Sequence, residues 1–117
     1  MDLLEELKEN GCDTQDGLNR LMGNKAIYEK LLKKAPASIE SLNVQQCLDS
    51  GDITKSIEAS HTVKGITGNL SLTPLYTAYS KITDLLRADN LEEARQLYKN
   101  TLPLQDKIFS IIAKYSA

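Results

Sequence analysis

Ser60-His61-Thr62-Val63-Lys64-Gly65-Ile66-Thr67-Gly68-Asn69-Leu70 contains the only histidine of the chain, and the rest of the sequence reads outward from it. A helix over Asp52 to Leu70, stepped at ~100° per residue, gathers Ser56, Ala59, Ser60, Ile66, Thr67 and Leu70 within about 60° of Val63, with Ile53 just outside that arc. This arc is the expected core face. His61 falls roughly 160° from Val63, on the opposite, solvated side. Ile57 lies ~40° from His61 and ~120° from Val63, so it is expected to flank the histidine rather than join the core. Gly65 and Gly68 follow at i+4 and i+7, which leaves two consecutive turns beside the imidazole without side chains. Two interior glycines weaken a helix by roughly 2 kcal/mol relative to alanine. The gain that offsets this is access, because a bare patch lets another protein's backbone and a bulky anion approach the ring.

Lys64, at i+3, can swing its ammonium beside the same ring. The unprotonated nitrogen of a solvated imidazole is a nucleophile. A neighbouring ammonium screens incoming negative charge. These are the needs of a phosphoryl acceptor. The plainer alternative is a solvated histidine beside a solvated lysine, and the pair of glycines is what argues against it.

The run His61-Thr62-Val63-Lys64-Gly65-Ile66-Thr67-Gly68-Asn69-Leu70 resembles the H-x-x-K-G motif of histidine phosphotransfer (HPt) domains, including the G-N-L that often follows it. Upstream, Gly17-Leu18-Asn19-Arg20-Leu21-Met22-Gly23-Asn24-Lys25-Ala26-Ile27-Tyr28, with Leu31-Leu32, resembles the family's first core helix and turn. Ser50-Gly51-Asp52 resembles the turn before the histidine helix. The similarity spans roughly Gly11 to Tyr115 and is to the stand-alone bacterial type; it departs at Ser71, where many members carry glycine. The resemblance implies a phosphorelay intermediate of two-component signalling. His61 would accept a phosphoryl group from the aspartate of one receiver domain and pass it to another, with Lys64 stabilising the phosphoryl oxygens. Gly65, Gly68, Thr54, Glu58, Leu18 and Met22 would meet the docking receiver. Thr83, where members often place a polar residue, would offer a hydrogen bond near the site. The receiver would bring the magnesium, and this chain would bind no cofactor and no metal.

A chain of 117 residues is read as one domain over 1–117. A formal net charge of −2 with 26% charged residues leaves no electrostatic footprint for nucleic acid or an anionic membrane. Cys12 and Cys47 form neither a C-x-x-C pair nor a disulfide framework, so they are read as reduced thiols. No apolar run reaches the ~18 residues of a membrane span, and Met1-Asp2 opens without a basic targeting region. The expectation is a cytoplasmic monomer. There is no G-x-x-x-x-G-K-[ST] loop, no H-E-x-x-H and no cysteine cluster. The carboxylates of Asp2, Glu5, Glu6, Glu92 and Glu93 sit at helix starts, where they complement the dipole. With no means to bind or split ATP, the chain must receive a phosphoryl group from another protein, so whether it is an enzyme stays open. The rival reading is a non-catalytic helical adaptor that binds a receiver or kinase domain.

Leu3, Leu4 and Leu7 mark a short lid helix within residues 1–10, stopped by Asn10-Gly11. Thr14 is the expected cap of a second short helix, closed by Gly23-Asn24, whose stripe of Leu18, Leu21 and Met22 reads as core on its helical spacing and as docking surface on the resemblance. Asn24 caps a third with Ile27, Tyr28, Leu31 and Leu32 as its apolar face, which Pro36 bends or restarts before Ile39, Leu42 and Cys47 or Leu48. Asp52 caps the histidine helix. Thr73-Pro74 reads as a cap and first-turn proline, with Leu75, Ala78, Tyr79, Ile82, Leu85 and Leu86 as core. The short Ser71-Leu72 link makes residues 52–88 a hairpin. Asn90 with Glu93 resembles a capping box opening the last helix, whose apolar stripe runs from Leu91 to Tyr115 with a kink at Pro103. No stretch alternates long enough for a strand. The expected fold is all-α, an antiparallel four-helix bundle with short additional N-terminal helices.

Overall fold

Side-chain caps open four of the helices in the computed structural model, which describes residues 1–116. Its elements are α1 (Leu3–Glu9), α2 (Thr14–Arg20), α3 (Lys25–Glu40), α4 (Val44–Ser50), α5 (Ile53–Asn69), α6 (Thr73–Arg87) and α7 (Leu91–Lys114). No strand occurs among the described residues. Asp2, Asp13, Asn24 and Asp52 accept from the amides of Glu5, Asp16, Ile27 and Lys55 at 2.9 to 3.1 Å, satisfying donors that a helix start otherwise leaves orphaned. The chain fills 40 × 25 × 22 Å. No helix of the described residues is long and apolar enough to cross a membrane.

The helix wheel of α5 is realised closely. Val63 is wholly buried, with Ser56, Ala59, Ser60, Thr67 and Leu70 buried around it. Ile53 and Ile66 are half-buried, and Ile57 packs against the core instead of only flanking the histidine. The small side chains of this face let α6 lie close, and α6 presents Leu75, Tyr79, Ile82, Thr83 and Leu86 to it. The other edge of α6 packs on α7, where Ala94, Tyr98, Ile108, Ile111 and Ile112 are buried. Tyr28, Leu32, Ala35 and Ile39 of α3 close the core against α5 and α7. Each large apolar side chain so buried contributes on the order of 2 kcal/mol. α1 buries Leu3, Leu4 and Leu7, touches α2 and α7, and is tied to the end of α7 by Lys114 to Glu6 at 2.7 Å and Tyr115 to Glu6 at 2.8 Å.

Several local expectations are corrected. Asp13, not Thr14, caps α2, and Thr14 is buried in its first turn. Thr73 caps nothing. Its hydroxyl accepts from the Asp13 amide at 3.0 Å, so it joins the start of α2 to the start of α6, while α6 begins from Leu72 with Pro74 in its first turn. Asn90 makes no side-chain capping bond. Pro36 does not restart α3, which runs on to Glu40; the break falls at Asn43, whose φ of 52° suits asparagine. Leu48 rather than Cys47 is the fully buried member of that pair. Ile27 and Leu31 stay exposed because Tyr28 and Leu32, one position on from each, take the buried face.

Tyr28 holds three helices at once. It is wholly buried, its hydroxyl donates to the Leu70 carbonyl at 2.7 Å, and its ring passes so close to Gly17 that a Cβ there would lie 2.2 Å from it. Burial pushes the phenol well above its ordinary value, so it remains a neutral donor.

Candidate functional site

α5 forms one side of a groove on the surface. His61 is exposed on it, opposite the buried Val63, and Lys64 is half-buried one turn on. Gly65 is exposed, and a Cβ built there meets nothing within 4 Å, so the backbone beside the imidazole is open. Gly68 differs from the expectation. A Cβ on it would lie 2.9 Å from Cδ1 and 3.0 Å from Cε1 of Tyr76, so the tyrosine ring of α6 covers the second turn. The side-chain-free surface is therefore one turn long. Tyr76 itself remains 40% exposed.

His61, Lys64, Gly65 and Gly68 line a groove of about 410 Å³ together with Tyr76, Asp16 and Arg20. Arg20 Nε donates to Asp16 Oδ2 at 2.9 Å, and the Ser71 hydroxyl donates to the same oxygen at 2.7 Å. The Ser71 bond first, and the Arg20 bond after it, hold the Asp16 carboxyl below the usual carboxylate range. Ser71 is buried with a φ of 54°, the left-handed region that favours glycine. A non-glycine residue there costs roughly 1–2 kcal/mol, against which Ser71 has its bond to a charged carboxylate.

The remaining candidates lie elsewhere. Thr54 and Glu58 are exposed on α5 before His61 but do not line the groove. Leu18 is half-buried against the core. Met22 is 96% exposed, outside α2 and in the left-handed region at φ 55°, because the helix stops at Arg20. Thr83 is wholly buried. It donates to the Tyr79 carbonyl at 2.7 Å and lies 3.1 Å from the Ser60 hydroxyl, so it reaches the residue before His61 from inside the core and not the groove. Asp16, Arg20, Ser71 and Tyr76 are among the groove residues that sequence reasoning missed, as are Asp13 and Thr73. Asp16 and Arg20 had a signal, an opposite-charge pair at i,i+4. Tyr76 had none, because its contact with Gly68 crosses the turn between two helices.

The groove lining thus holds an exposed imidazole, that of His61, and the half-buried side chain of Lys64. Burial pushes the Cys12 thiol up to about 11, which leaves it neutral and unreactive at pH 7. Among the described residues no group of His, Cys, Asp or Glu is placed to hold a metal ion. No family model, curated protein or solved structure matches the chain.

Proposed function

We propose that the chain is a phosphorelay intermediate of the histidine phosphotransfer type. In this reading α3, α5, α6 and α7 form the antiparallel four-helix bundle of that family, and α1, α2 and α4 are additions to it. The observation that carries the proposal is the exposed His61 beside Lys64 and the open backbone of Gly65, on a helix whose other face is locked in the core. A neutral ring nitrogen attacks the phosphorus of a receiver's aspartyl phosphate. The N–P bond forms as the P–O bond to the aspartate breaks, and the carboxylate leaves with the electron pair. Lys64 offsets charge on the phosphoryl oxygens, and the receiver supplies magnesium and the remaining catalytic groups. The protein acts in the cytoplasm as a monomer and meets receiver domains, not nucleic acid or membrane.

A second reading, the non-catalytic adaptor, draws on the exposed apolar side chains Met22, Ile27, Leu31 and Tyr76, which suit binding without chemistry. Incubation with a phosphorylated receiver followed by intact mass separates the two. A phosphorelay protein gains one phosphoryl group, base-stable and acid-labile, and loses that gain in His61→Gln. A chain that binds the receiver but gains nothing is an adaptor.

A further inference from the structure

We propose that Arg20, aimed by Asp16 and Ser71, is a second cation that holds the phosphoryl group on His61, from a different helix than Lys64. This rests on the phosphotransfer reading. Arg20 is on α2, and it lines the same groove as His61 and Lys64. Its one ion-pair contact among the described residues runs from Nε to Asp16 Oδ2. Pairing through Nε alone leaves both terminal NH2 groups unused, and a guanidinium fork matches the spacing of phosphoryl oxygens.

An exposed i,i+4 pair by itself orients a side chain weakly. Here the carboxylate is fixed from behind. Ser71 is buried, sits in backbone that favours glycine, and gives its hydroxyl to the same Asp16 oxygen that takes Arg20. The order is thus an anchored hydroxyl, an ionised carboxylate and a guanidinium whose NH2 groups make no hydrogen bond among the described residues, in the lining of the groove that His61 also lines. Asp16 and Ser71 are positioning residues, and Arg20 touches the transferred group.

Phosphoramidate tests this without a receiver. A ring nitrogen of His61 forms the N–P bond as the P–N bond of the zwitterionic reagent, already protonated on its nitrogen, breaks; ammonia leaves with the electron pair, and the ring N–H proton is lost to solvent. Intact mass gives the rate of gain, and ³¹P NMR gives the environment of the product. Arg20→Gln should slow the gain about tenfold and move the phosphohistidine ³¹P signal, while Arg20→Lys restores part of the rate as a point charge. Ser71→Gly, which the backbone accepts, should slow it about threefold by loosening Arg20 while the melting temperature holds. In the wild type the Arg20 guanidinium N–H signals should sharpen on phosphorylation. Arg20→Gln reacting at the wild-type rate with an unmoved ³¹P signal would overturn the proposal and leave the phosphotransfer reading standing. A wild-type chain that gains no phosphoryl group on His61 sinks both.

Discussion

Gly17 on α2 and Gly68 on α5 each lie beneath a tyrosine ring, Tyr28 in the first case and Tyr76 in the second. Tyr28 has no exposed surface and is bonded through its hydroxyl to the Leu70 carbonyl, so it has nowhere to go. Tyr76 is 40% exposed and can turn toward water. The same local pairing is therefore enclosed in the core in one case and open to water at the groove in the other, and we expect the first to act as a fixed joint and the second as a movable cover. What separates them is burial of the ring, not the glycine. Gly65 completes the series, with no ring over it at all.

The sharpest way to break the comparison is Gly17→Ala. Alanine gains about 1 kcal/mol of helix propensity, but its Cβ would stand 2.2 Å from the Tyr28 ring in a packed interior. We expect a net loss of about 3 kcal/mol, the upper range for overpacking, and a fall in melting temperature of roughly 10 °C. Tyr28→Phe keeps the ring and removes only the donor to Leu70. It should cost about 1–2 kcal/mol, the penalty for stranding a buried carbonyl. Urea denaturation measures both. If Gly17→Ala is neutral, Tyr28 has room to shift and the joint is not fixed.

Which of these features could be read from the sequence follows from how local they are. The burial of Val63, the exposure of His61 and the caps at Asn24 and Asp52 depend on spacing along one helix, and each is found. Thr73 failed as a cap because a residue 60 positions earlier, Asp13, supplies its partner. Gly68 looked bare because the ring that covers it comes from the next helix. Gly17 carried no local sign of its role, since the tyrosine above it is on a different helix. Tertiary contacts between helices, not propensity, decided each miss.

Gly65→Ala sharpens the comparison from its open end. With nothing within 4 Å of the new Cβ, the propensity gain of about 1 kcal/mol should appear in full as stabilisation. On the phosphotransfer reading, transfer from a receiver should slow because the close approach is lost, while acceptance from phosphoramidate stays at the wild-type rate. Equal slowing with both donors would mean that the methyl disturbs His61 itself and that Gly65 is not there for docking.

The smallest expected effect, and the one that tests the movable cover, is Gly68→Ala. Its gain of about 1 kcal/mol in helix propensity is opposed by displacing the Tyr76 ring, so the net change in wild type should be close to zero. Removing the ring first changes the balance. In a Tyr76→Ala background nothing occupies that space, and Gly68→Ala should then stabilise by the full propensity gain of about 1 kcal/mol. The difference between the two backgrounds, a coupling of about 1 kcal/mol read from urea midpoints, is the energy of the ring resting on the glycine. A coupling near that size in stability, with transfer from a receiver unchanged by Tyr76→Ala, fits a cover that lifts readily. If Gly68→Ala stabilises both backgrounds equally, Tyr76 spends its time in solvent, the open surface beside His61 extends over both turns, and the contrast with Tyr28 is complete.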